Sequence, residues 1–199
     1  MVLFLALLMP HFNRSIMKLN QTYLLLLILM PILVIGQIKT AQTQVNVIIS
    51  QAQSISITQP SVDIQLTQMS QYVSGNTSAI QTNHINVGST TNYQVSVKAQ
   101  SDYLSFNGSS SSIPVNTIAL QTTMGSDLTG SNTPASTTTT IAPTITLGTT
   151  DTIVISNANA EGARGYNVTY AIPASKTSYY LNKPIGIYST TIIYTLASQ

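Results

Sequence analysis

Pro184-Ile-Gly-Ile-Tyr-Ser-Thr-Thr-Ile-Ile-Tyr-Thr-Leu196 decides the fold class. A turn former and a glycine lead into residues that are nearly all β-branched or aromatic. Such side chains fit a pleated, packed surface and lose χ1 freedom in a helix. Tyr188, Thr190, Ile192, Tyr194 and Leu196 share one face; Ile187, Ser189, Thr191, Ile193 and Thr195 share the other. Neither face carries charge, so the stretch reads as an interior strand that closes a β-sandwich.

Working back from that strand, the same alternation recurs. Residues 166–172 place Tyr166, Val168, Tyr170 and Ile172 on one face, and residues 92–100 do so with Tyr93, Val95, Val97 and Ala99. Shorter segments follow the pattern at 43–50, 54–58, 62–66, 102–108, 144–147 and 152–156. Ile113-Pro-Val115 and Ile118-Ala-Leu120 are apolar clusters. Pro114, which cannot donate to a ladder, suits an edge or a strand start. Residues 67–91 are polar and carry turn signals at Gly75-Asn76 and Gly88. Residues 122–143 are low in complexity and read as a long exposed loop open to O-glycosylation. Residues 173–183 read as a turn segment. No helix is expected outside the leader. Nine or ten strands at this spacing predict an all-β, Ig-like antiparallel β-sandwich.

A different signal occupies the N-terminus. Met17-Lys18 precedes the apolar run from Tyr23 to Ile35, which has the form of a secretory leader. The run is shorter than the roughly 20 residues a membrane span needs. Cleavage is expected after Gly36 or after Ala41. Residues 1–16 read as an over-called start or extra leader, with a two-segment membrane anchor as the alternative. Residues 17–41 are assigned as the signal peptide and 42–199 as the sandwich domain. The leader is then the protein's one expected contact with a membrane.

Of 199 residues, 43% are hydrophobic and 6% charged, a balance unlike that of a disordered chain. From Gln42 onward four bases face five acids, a net charge of −1, which offers no electrostatic footprint for nucleic acid. There are no cysteines, so thiolate and zinc–sulfur chemistry is excluded. After the leader one histidine remains, His84, in a polar stretch with Asn83 and Asn86, and it reads as a solvated loop residue. The five acids show no glycosidase or calcium-loop spacing, and phosphate-loop and dinucleotide patterns are missing. A nucleophile needs a positioned base; none is legible. The expectation is a non-catalytic protein with no catalytic residue, cofactor or metal.

Two further features bear on surface chemistry. Tyr179-Tyr180 lies in an expected loop or hairpin tip, a candidate ligand contact for sugar or protein. Asp151-Thr152-Ile153 resembles the short Asp-Thr-aliphatic acceptor of O-glycosylation in exported bacterial proteins, which makes Thr152 a candidate acceptor. Asn76, Asn107 and Asn167 head N-glycosylation-type triplets, which arise readily by chance in so Asn/Ser/Thr-rich a chain.

Asn92-Tyr-Gln-Val-Ser-Val-Lys-Ala99, with Ile113-Pro-Val-Asn-Thr-Ile-Ala-Leu120 after it, resembles the middle of WxL-like exported β-domains. Tyr170-Ala-Ile-Pro-Ala174 and the closing strand resemble the end of the same domains. The Trp-x-Leu motifs themselves are missing; Tyr194-Thr-Leu196 stands where the last would be. The closing strand is also similar to that of spore-coat-U-type and other chaperone–usher pilins. That resemblance implies a groove filled by a neighbour's N-terminal strand, a role residues 43–49 could take. The expected function is that of an exported structural or adhesive domain on the cell surface or in the envelope or periplasm, with an envelope component or like subunits as partner. The alternatives are a pilin-like subunit that polymerises by strand donation and a peptidoglycan- or carbohydrate-binding module.

Overall fold

A computed structural model describes residues 39–131 and 134–199. The expected leader and the segment before it lie outside the described residues, except for residues 39–41. The chain divides into two units, Met1–Ile48 and Ile49–Gln199. In the first, residues 39–48 are exposed and carry no regular secondary structure.

The second unit is an antiparallel all-β fold. Its strands are β1 (Gln53–Ile57), β2 (Gly75–Thr77), β3 (Gln81–Ser89), β4 (Tyr93–Ala99), β5 (Tyr103–Phe106), β6 (Ser109–Pro114), β7 (Ala119–Asp127), β8 (Thr140–Ile141), β9 (Ile145–Thr146), β10 (Thr152–Ala158), β11 (Glu161–Pro173), β12 (Tyr188–Ser189) and β13 (Ile192–Ser198). The largest sheet has the order β1-β3-β11-β7-β9, with β2 paired to the far end of β11. A four-stranded sheet runs β13-β4-β10-β8, and a small one runs β12-β5-β6.

The core lies between the two larger sheets. β4 contributes Tyr93, Val95, Val97 and Ala99, and β11 contributes Tyr166, Val168 and Tyr170, the faces that alternation assigns. Ile85, Val87, Leu120, Val154 and Ile155 join them. Each buried aliphatic contributes about 1.5–3 kcal/mol, against backbone ordering of about 1–2 kcal/mol per residue. No strand is stable alone, and the two layers form together.

Several expectations are corrected. The closing stretch is not one interior strand. It breaks at Thr190-Thr191, so β12 joins the small sheet while β13 pairs with β4 at the edge of the four-stranded one. The even face is half-buried, but Ile187, Ser189, Thr191, Ile193 and Thr195 face solvent, as an interior strand's residues would not. A chain of β-branched residues specifies extended backbone without saying how many sheets receive it.

Residues 43–50 form no strand. Residues 62–66 keep alternate burial at Val62, Ile64 and Leu66 but are assigned to no strand. The polar stretch 67–91 contains β3, a central strand. Gly88 fits there because a Cβ would stand 2.6 Å from the Gly162 carbonyl oxygen, where bulged β11 crosses close. Residues 119–127 are strand, so the expected loop begins later. Three short helical segments also occur among the described residues: α1 (Met69–Ser74), a 3₁₀ helix at Val115–Thr117, and a 3₁₀ helix at Ala174–Tyr180 inside the expected turn. Gln68 and Gln71 cap α1 reciprocally, so the helix is specified by local polar bonds rather than by an apolar stripe.

Candidate functional site

Two buried polar clusters tie the sheets together. In the first, Tyr93 of β4 donates to Glu161 Oε1 at 2.7 Å, and its oxygen lies 2.7 Å from the Tyr166 hydroxyl of β11. A carboxylate only accepts, so Tyr93 gives its proton to Glu161 and accepts from Tyr166. Arg164 Nε meets the other oxygen, Glu161 Oε2, at 2.8 Å. The Arg164 side chain is buried and that of Glu161 is part-buried, which makes this a partly desolvated pair supported by hydrogen bonds. Burial is the main cause that pushes the Tyr166 phenol up to about 12, and it holds Tyr93 well above the ordinary tyrosine range.

The second cluster corrects the reading of His84. It is no solvated loop residue; it lies in β3 and is 3% exposed. Its Nδ1 lies 2.9 Å from Gln59 Oε1, and its Nε2 lies 3.1 Å from the Tyr170 hydroxyl. The Tyr170 hydroxyl in turn meets that of Tyr194 at 2.7 Å. Burial lowers the His84 pKa below its ordinary 6.5 and raises those of Tyr170 and Tyr194. Both ring nitrogens are engaged inside the protein, so the imidazole acts as a tie between strands.

The expected surface residues take different places. Tyr179 is exposed, with Lys176 Nζ 5.8 Å from its ring centre. Tyr180 turns inward, packs on the core, and meets Thr117 Oγ1 at 2.7 Å through its hydroxyl. The two rings therefore do not form one exposed pair. Thr152 opens β10 on the surface, and neighbouring Asp151 is held by Lys98 at 2.8 Å. Asn167 is also engaged: its Oδ1 accepts from the Asn83 amide and its Nδ2 donates to the Met124 carbonyl.

An apolar seam is the remaining feature. Ile55 of β1, Val62 and Ile64 beyond it, and Ile192, Tyr194 and Leu196 of β13 are only partly buried against the core. β1 and β13 each end a sheet and approach one another. Among the described residues, β13 has no strand on its outer side. Val45, Val47, Ile48 and Ile49, all at least 80% exposed, lie N-terminal to β1. Alternation in residues 43–50 signalled an extended apolar run; nothing in it signalled that the run stays exposed and pairs with no strand among the described residues.

Among the described residues, no three His, Asp or Glu side chains gather as metal ligands would. No protein-family model matches the chain, and no curated protein matches it.

Proposed function

We propose that this chain is an exported, non-catalytic structural or adhesive protein of the cell surface or envelope, its Ig-like sandwich released from a cleaved leader. One observation carries this reading. The side chains with the widest chemical repertoire, His84, Glu161 and Arg164, are spent on bonds to the buried tyrosines and to each other between the sheets. They support a scaffold, leaving the surface for recognition. The WxL-like resemblance supports the same class. Cell fractionation with N-terminal sequencing tests it. A product beginning at Gln37 or Gln42 in the envelope or medium is expected; an intact chain in the cytosol overturns the reading.

A second reading is favoured by the seam: a subunit that polymerises by strand donation. Residues 43–50, about 26 Å long when extended, match the seven residues of β13 in length. Val45, Val47 and Ile49 would enter a neighbour's seam, with main-chain bonds to its free edge. Residues 51 and 52 favour a neighbour over self-closure, because Ala52 and Thr90 exchange bonds that extend the β1–β3 ladder instead of starting a turn. Deleting residues 43–50 tests it by size-exclusion chromatography. Assembly lost with the body still folded supports donation; unchanged assembly, or a body that unfolds, argues against it.

A further inference from the structure

The chain Gln59–His84–Tyr170–Tyr194 runs from the segment after β1, through β3 and β11, to the closing strand β13. Its polarity follows from chemistry. Gln59 Nε2 faces the Thr82 carbonyl at 3.5 Å, which turns Oε1 toward His84. An amide oxygen only accepts, so Nδ1 carries the proton and Nε2 of the neutral ring accepts. Tyr170 therefore donates to Nε2, and its oxygen accepts from the Tyr194 hydroxyl. Every proton in the chain has an acceptor.

Protonating the ring breaks this order. Nε2 becomes a donor and the Tyr170 oxygen must accept from it. Tyr170 then turns its own proton to Tyr194, and the Tyr194 proton loses the acceptor it had. The cost lands on β13, an edge strand held by a single ladder to β4. Among the described residues, the groups that face the ring offer no compensating charge. Tyr170 and Tyr194 stand edge-on, at centroid distances of 5.9 and 6.1 Å, and Gln59 is neutral.

We propose that His84 is an acid-sensitive latch on the closing strand: when neutral it ties β13 to the opposite sheet, and when protonated it releases β13 and opens the edge beside β1. The latch is independent of whether that edge receives a donated strand.

The test is amide hydrogen exchange in the full chain between pH 7.5 and 5, corrected for intrinsic rates, alongside imidazole NMR titration. The chain has two histidines, His11 and His84, so His84 is assigned as the signal that remains in His11→Gln. Protection of residues 192–198 is expected to fall about tenfold more than that of β10 or β11, with a midpoint that tracks the His84 titration. In Tyr194→Phe the tie is cut at every pH, so that protection is expected to be low and independent of pH. His84→Gln, if folded, loses the acid response. If it does not fold, the wild-type and Tyr194→Phe measurements still decide. Protection of β13 that stays constant through the His84 titration, or that falls together with β10 and β11, overturns the latch.

Discussion

The hydroxyl of Tyr93 lies 2.7 Å from that of Tyr166, joining β4 of one sheet to β11 of the other inside the core. The two tyrosines are not equivalent. Tyr93 is the central member, because it also donates to Glu161, whereas Tyr166 sits at the end of the chain.

That asymmetry sets the cost of losing each hydroxyl. Tyr166→Phe removes a terminal donor and is expected to cost about 0.5–1.5 kcal/mol. Tyr93→Phe removes a bond to a part-buried carboxylate and leaves the buried Tyr166 proton without its acceptor, so about 2–4 kcal/mol is expected. Urea denaturation of the two variants gives the order; equal losses would contradict the assigned direction.

Alkaline pH should unfold the domain before its buried phenols ionise. Tyr93, Tyr166, Tyr170, Tyr180 and Tyr194 are all raised above 10 in the folded state. The folded protein therefore keeps phenolic protons that the unfolded chain gives up. Its stability is complete below pH 10 and falls as pH rises from 10 toward 12. Tyrosinate absorbance is expected to show exposed phenols titrating first, then a cooperative step that coincides with loss of the β signal in circular dichroism.

Acid acts with the opposite sign through His84. Its folded pKa is below 6.5, so the unfolded state takes up the proton first as pH drops. Stability is complete above about pH 6.5 and falls below it, by at most about 1.4 kcal/mol per pH unit, until the folded ring also protonates. Denaturant midpoints measured from pH 7.5 to 5 should slope downward in the wild type and flatten in His84→Gln.

Gly165→Ala should be among the most damaging single-methyl additions. Its Cβ would lie only 2.2 Å from Asn83 Oδ1, which accepts the Ser126 amide at the bulge where β3 nears β7. A loss of about 2 kcal/mol or more is expected from this overpacking. Gly148→Ala meets nothing within 4 Å and should change stability by less than about 0.5 kcal/mol. Thermal melts of the pair make the comparison.

Val47→Asp separates folding from association. Val47 is 81% exposed, so the charge should leave the melting temperature within about 1–2 °C of wild type. If residues 43–50 enter a neighbour's seam, the buried aspartate should abolish assembly at micromolar concentration, as read by light scattering.

Strands with clean alternation were legible in the sequence. Tyr93, Val95, Val97 and Ala99, and Tyr166, Val168 and Tyr170, all face the core as their spacing requires. β3 was not legible, because its Asn83, His84, Asn86 and Gly88 resemble loop residues. Three of them are accommodated through neighbours distant in sequence: Asn167 for Asn83, Gln59 and Tyr170 for His84, and the backbone of Gly162 beside Gly88. Tyr179-Tyr180 likewise read as one exposed pair, because adjacency cannot express that a 3₁₀ turn aims one ring at Thr117 and the other at solvent.

By itself the sequence determined that this protein is built of extended chain and which side chains of its alternating strands turn inward, since a period of two is written locally in β-branched and aromatic residues. The tertiary structure alone decided that the closing stretch divides between two sheets, with β13 last in its sheet among the described residues. It also decided that His84 is buried against two tyrosines, 86 and 110 positions along the chain. Strand order and buried polar partnership depend on pairings between segments far apart in sequence, and no local pattern encodes them.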